Sequence, residues 1–256
     1  MFFFANIQSS IAIGDEMTSI TKIAFACAAL VAASGAFAQK AGDNIVGLGL
    51  AYVSPDTNLG TLSNTTSGVT VGGPAGSTVG GLLAGTTAKV SSETTVSLSL
   101  LHMFTDNIGA EFTLGIPPRV TQDLSSPNLG SHPGAAKIDV WTPTAVAKYF
   151  FGATQDTWRP YAGLGVSRVS FHNISIDSNA AVQALAGTSA NLSSSWAPVY
   201  NAGVIYNIDD KWSINGSVSY LPVKTSATFV GAHAGATTGD IKLNTTDYVI
   251  RLGYKF

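Results

Sequence analysis

The chain is short of charge. Asp, Glu, Lys and Arg make up 11% of its 256 residues, against about 25% in ordinary soluble domains, and the formal net charge is −2. Such a surface has no basic stripe for phosphate, so nucleic acid is excluded as a partner. Cysteine is nearly missing. The single Cys27 falls in the N-terminal leader described below, and beyond it there is no thiol nucleophile, zinc–thiolate site or disulfide framework. Although 45% of the residues are hydrophobic, nothing after the leader offers the ~20 continuous apolar residues of a membrane-crossing helix. His-Glu-x-x-His and Asp-rich calcium motifs are also missing, and no metal or other cofactor is expected. High apolarity, low charge and abundant Gly, Ser and Thr suit a β-barrel in a membrane, whose strands need only every second residue apolar.

The N-terminus reads as an export signal. Met17 to Lys22 is a weakly basic start, Ile23 to Ala33 is an apolar run too short to span a bilayer, and Ala36-Phe37-Ala38 is a small-x-small cleavage pattern. Asp15 and Glu16 just before the basic start do not suit a leader and point to Met17 as the true start. Cys27 has Ala24, not a Leu-like residue, three positions before it, so a lipoprotein signal is not indicated. The expected organisation is a signal peptide over 1–38, cleaved after Ala38, and one domain over 39–256.

The end of the chain carries the clearest strand. Tyr248, Ile250, Leu252, Tyr254 and Phe256 share one face of a period-2 pattern; Val249, Arg251, Gly253 and Lys255 share the other. An apolar, aromatic face opposite a charged one fits lipid outside and water inside. The terminal Tyr254 and Phe256 resemble the insertion signal of bacterial outer-membrane barrels, which implies the barrel-assembly machinery as a partner.

Seven further segments alternate in the same way, beginning near Val46, Val96, Ile108, Trp141, Arg159, Trp196 and Trp212. The links between them alternate in length. Thr105–Asn107, Gly152–Trp158 and Asp209–Lys211 are short; Asp56–Ser91, Pro118–Ala136, His172–Ser195 and Pro222–Asp240 are long. Long links outside and short turns inside are the asymmetry of an eight-stranded antiparallel transmembrane β-barrel with long outer loops and short periplasmic turns. Aromatics at strand ends, among them Tyr52, Phe104, Trp141, Tyr149, Phe151, Trp196, Tyr206, Trp212 and Tyr220, are placed to form two interfacial girdles. The Gly-rich Asp56–Lys89 link lacks the Lys-Ser/Thr ending of a phosphate loop.

Four stretches resemble the OmpW family of small outer-membrane barrels: Thr105-Asp106-Asn107-Ile108-Gly109-Ala110-Glu111, Ala147-Lys148-Tyr149-Phe150-Phe151-Gly152, Trp158-Arg159-Pro160-Tyr161-Ala162-Gly163-Leu164-Gly165, and the aromatic C-terminus. Trp196 and the turn running to Trp212 match in place. The resemblance implies a monomeric barrel in outer-membrane lipid and lipopolysaccharide. It also implies a narrow, mostly apolar lumen that takes up small hydrophobic solutes and releases them sideways into the membrane. The competing class is a non-transporting structural, adhesion or receptor barrel that acts through its outer loops.

The inner faces suggest where function lies. An eight-stranded barrel is just wide enough to be filled by side chains or to hold one small ligand, which excludes a wide aqueous pore. Leu101, Met103, Phe150 and Trp196 are the channel-lining candidates; Leu82, Leu83, Leu185, Trp196 and Phe229 are candidates for the mouth. Inward Glu111, Lys148, Arg251 and Lys255 are expected to pair as an ion network that plugs the periplasmic half, because lone charges in a narrow lumen are costly. A charge-selective path is the alternative. Inner-face glycines either make a passage or relieve crowding. His102 is expected at a strand end, and His132, His172 and His233 in or beside outer loops, where Ser and His read as polar surface and not as a hydrolase. No catalytic residue is assigned.

Overall fold

The computed structural model describes residues 39–59, 63–64, 85–231 and 235–256. The leader with Cys27, and also Leu82, Leu83 and His233, lie outside the described residues, as does the side chain of Leu185. The strands are β1 (Asn44–Leu59), β2 (Ser63–Asn64), β3 (Thr87–Val90), β4 (Glu93–Met103), β5 (Ile108–Gly115), β6 (Arg119–Ser126), β7 (Gly130–Trp141), β8 (Thr144–Phe150) and β9 (Trp158–Ile176). A short helix α1 (Ala180–Ala186) follows, then β10 (Ser189–Leu192), β11 (Ser195–Asn207), β12 (Trp212–Gly231) and β13 (Gly235–Lys255).

Eight of these strands form a closed antiparallel ring. Going round it, β1 pairs with β4, then come β5, β8, β9, β11, β12 and β13, and β13 returns to β1. The closing seam is long and in register, with Ile45 opposite Lys255, Leu48 opposite Leu252 and Tyr52 opposite Tyr248. Closure leaves no strand edge to solvate, which is what allows a sheet to sit in lipid.

The alternation in the sequence becomes inside and outside. Along β4, Val96, Leu98 and Leu100 are exposed, whereas Ser97, Ser99 and Leu101 are buried. The exposed apolar side chains make a belt round the ring, and aromatics mark its two rims. At the short-turn rim Trp158 lies against Tyr206 (ring centroids 4.6 Å apart), Trp212 against Tyr254 (4.9 Å) and Tyr149 against Phe151 (5.1 Å). At the other rim Tyr52 lies near Tyr248 and Tyr200 near Tyr220. Trp196 and Tyr206 are ten residues apart on β11. At ~3.3 Å per residue this is about 33 Å of strand, and a tilt of about 40° reduces it to about 25 Å, the height of an outer-membrane apolar band.

The long links differ from simple loops. Within Pro118–Ala136 the chain runs as β6 and the start of β7, β9 continues to Ile176, and β12 and β13 extend to Gly231 and Gly235. β3, β6 and β7 extend the sheet from the upper part of β9. Leu124, Ala135 and Val182 of α1 form a small core of their own, packed by Ala88, Leu129, Ile176 and Phe229. Phe229, expected at the mouth, is thus part of this outer core. Strand pairing continues here because the backbone groups of these segments find partners in one another above the lipid.

One glycine permits a close approach that the ring needs. Gly49 faces inward on β1 opposite Arg251, and a Cβ there would run into the Ile250 carbonyl oxygen and the Arg251 Cα. Backbone atoms in a paired strand cannot yield as a side chain can. Gly49→Val is expected to block assembly, read as loss of the folded, heat-modifiable band in unheated gel samples.

Candidate functional site: the lumen

The lumen is layered from the short-turn end upward. Its floor is apolar: Ile45, Leu101, Met103, Phe150, Tyr161 and Ile205 pack as one buried cluster. Met103 and Phe150 are 0% exposed and Leu101 is 2% exposed. These three of the lining candidates point inward, but they seal the floor instead of bordering an open path. Arg159, also 0% exposed, lies beneath with its guanidinium 5.4 Å from the Phe150 ring centroid. It donates to the Gln39 carbonyl at 2.5 Å and the Asp106 carbonyl at 2.6 Å, which ties the start of the described chain to the β4–β5 turn. Gln39 Nε2 donates in turn to Asn207 Oδ1 at 2.8 Å.

Trp196 requires a correction. It is 66% exposed, on the outer surface of β11, while its neighbours Ala197 and Val199 are each 1% exposed and face inward. A strand residue serves one face only, so Trp196 belongs to the rim, with the Arg168 guanidinium 5.5 Å from its ring.

Above the floor lies the charged layer. Glu111 Oε1 is 2.8 Å from Lys148 Nζ and 3.3 Å from Arg251 Nη1, and all three side chains are buried. Lys148 meets the carboxylate as an ion pair without hydrogen-bond alignment, and its ammonium also sits 4.3 Å from the Tyr161 ring centroid. Arg251 donates to Ser97 Oγ from Nε (3.0 Å) and Nη2 (2.8 Å) and to Glu111 from Nη1. Two cations around one buried anion need such extra partners to offset lost hydration. The fourth expected member, Lys255, is not in this cluster: its Nζ lies 3.4 Å from Asp43 Oδ2 at the lower rim. Lys255 is two residues below Gly253 and four below Arg251, too far down the strand to reach Glu111.

Two connected chambers occupy the space above. The lower is polar, bordered by Ser97, Thr113, Asn201, Ser217 and Ser219 together with Glu111 and Arg251. The upper is apolar, bordered by Val140, Phe171, Leu221, Val223, Ile241 and Leu243 among others. Asp247 borders both. Sequence reasoning missed Asp247 and Arg159. The parity that sends Tyr248 and Ile250 outward also sends Asp247 inward, so the signal was one residue beyond the strand as read.

The wall of the lower chamber is interrupted. β5 and β8 pair from Ile108↔Tyr149 to Thr113↔Thr144, and above that point no rung joins Leu114–Pro118 to Trp141–Pro143 until Val140 N donates to Pro118 O at 3.1 Å. Pro117, Pro118 and Pro143 carry no N–H and cannot close the ladder. Gly115, Pro117, Pro118 and Thr142 border the lower chamber at this gap.

A closed eight-stranded ring, a lipid-facing apolar belt with aromatic rims and a lumen packed at its lower end by an apolar cluster define a small transmembrane β-barrel of the bacterial outer membrane. Residues 40–256 match the OmpW family, and the chain belongs to that family. It is 33% identical to outer membrane protein W of Vibrio cholerae over 236 residues, covering 90% of this chain and 96% of that protein. It is 29% identical to outer membrane protein W of Escherichia coli, covering 94% and 100%. The crystal structure of the outer membrane protein OprG from Pseudomonas aeruginosa superposes with a TM-score of 0.71 at 28% identity, covering 86% of this chain and 98% of that one.

Proposed function

We propose that the barrel is a narrow conduit for small hydrophobic solutes, which enter from outside and leave sideways into the membrane. The observation that carries this reading is an apolar chamber, bordered by Leu221, Val223, Ile241 and Leu243, above a packed apolar floor. A solute that enters the upper chamber meets the charged layer and the packed floor below it. The unpaired stretch between β5 and β8 offers the shorter way out. Desolvated apolar groups gain by moving from the polar lower chamber into lipid. The uptake role implied by the family resemblance supports the same reading. We further propose that the protein works as a monomer among lipopolysaccharide and phospholipid, and that Tyr254 and Phe256 address it to the assembly machinery; Phe256 is 70% exposed at the strand end.

Closing the gap tests the conduit. Ile116 and Trp141 are both exposed on the outer surface and flank the unpaired stretch, so Ile116→Cys with Trp141→Cys can be bridged by a disulfide or a short bifunctional thiol reagent. Bridging is expected to cut uptake of a labelled alkane by cells at least several-fold, with recovery on reduction of the disulfide. Uptake indifferent to bridging would remove the sideways exit and favour the reading in which the ordered outer sheet and its core serve as a binding surface.

A further inference from the structure

We propose that Asp247 is a head-group receptor, so that the conduit selects amphiphiles with an apolar tail and one hydrogen-bond-donating head, a hydroxyl or an ammonium. This rests on the conduit reading above. Asp247 sits where the apolar upper chamber meets the polar lower one and borders both. Its Oδ1 is buried and has no hydrogen-bond partner in the protein. No neighbouring side chain donates to it. Arg251 gives its donors to Ser97, Glu111 and Thr113. Ser219, directly across from Asp247 in the β12–β13 pairing, accepts from Asn201 Nδ2 at 2.9 Å, and its own hydroxyl makes no bond to Asp247 Oδ1. On the other side the paired residue is Val53.

A carboxylate oxygen withdrawn from water without a donor is costly, and an ionisable residue within the membrane span that lines a cavity marks a ligand path. The missing donor defines the ligand's head. Its tail follows from what stands above. Leu243 and Ile241 continue inward from Asp247 along β13, facing Leu221, Val223 and Phe171 across the chamber. Ile241 lies six residues from Asp247, about 20 Å of strand, or about 15 Å of depth at a tilt of about 40°. That depth suits a medium-length aliphatic chain. A carboxylate head would meet Asp247 and is repelled.

The test uses the full chain in cells of a Gram-negative host, against the same cells without it, with labelled decane, 1-decanol and decylammonium as probes. Asp247→Leu is expected to lower uptake of decanol and decylammonium about tenfold, the worth of one hydrogen bond to a charged group, and to leave decane uptake unchanged. Asp247→Asn keeps a carbonyl acceptor and loses the charge, so decylammonium uptake should fall more than decanol uptake; this variant also serves if Asp247→Leu does not assemble. Equal effects on all three probes, or none, with a normal heat-modifiable band would overturn the head-group role while leaving the conduit standing. No decane uptake above background in wild-type cells would sink the conduit and the head-group role with it.

Discussion

Replacing Glu111 by alanine is expected to destabilise the barrel by about 3–5 kcal/mol, because it strands buried charges without a counter-ion. Lys148 and Arg251 would both remain, and they are not equally exposed to the loss. Arg251 keeps Ser97 and Thr113, whereas Lys148, with a side chain 1% exposed, keeps only the face of Tyr161. Lys148→Ala should therefore cost less than Glu111→Ala, since Glu111 would still have Arg251. Replacing all three by apolar residues of similar volume should come back close to wild type, as buried ion clusters exchanged whole for apolar packing often do. Unfolding in urea from lipid vesicles, with the folded fraction read from gel mobility, orders these variants. If Glu111→Ala matched the wild type, the cluster would have to be hydrated, and the view of this layer as a dry plug would be wrong.

Phe150→Ala should weaken the floor twice over. Removing a fully buried phenyl costs about 3–5 kcal/mol through lost transfer energy and the cavity left behind. The ring contacts Tyr161, 5.1 Å between centroids, and has the Arg159 guanidinium 5.4 Å from its centroid, so little nearby is free to collapse into the space. The second effect is on permeation. With the floor thinned, small ions should leak, and planar-bilayer conductance should rise well above that of the wild type, while Phe150→Leu should stay near it. Equal conductance in Phe150→Ala and the wild type would mean that the charged layer, not the aromatic floor, is the barrier.

Much of this was legible from residue order. Strand parity along Val96–Leu101 and Tyr248–Phe256 gave the lipid-facing side, because one face of a barrel strand meets lipid and the other does not. Short turns at Thr105–Asn107 and Asp209–Lys211 told which end carried both termini. Parity also put Glu111, Lys148 and Arg251 inside, although nothing in a single strand says how high each one stands. Lys255 shares the inward face with Arg251 and still ends beside Asp43. Trp196 shows the opposite failure: its outward parity was plain, and assigning it to the lumen conflicted with that parity. The long links read as loops because their Ser, Thr and Gly content hid strands whose partners lie far away in sequence, such as Ser189–Leu192 against Ala227–Val230.

What residue order determined by itself was the two-faced strand, the number of strands and the membrane in which they sit, since these depend on local periodicity and on how little charge the chain carries. What only the tertiary structure decided was the stacking of the lumen. The ring's stagger sets which inward residues share a level, and so it decides that an apolar floor lies beneath Glu111, that Asp247 stands between two chambers, and that three prolines meet at one gap in the wall. Register between strands distant in sequence has no local signature, and the function proposed here depends on that register.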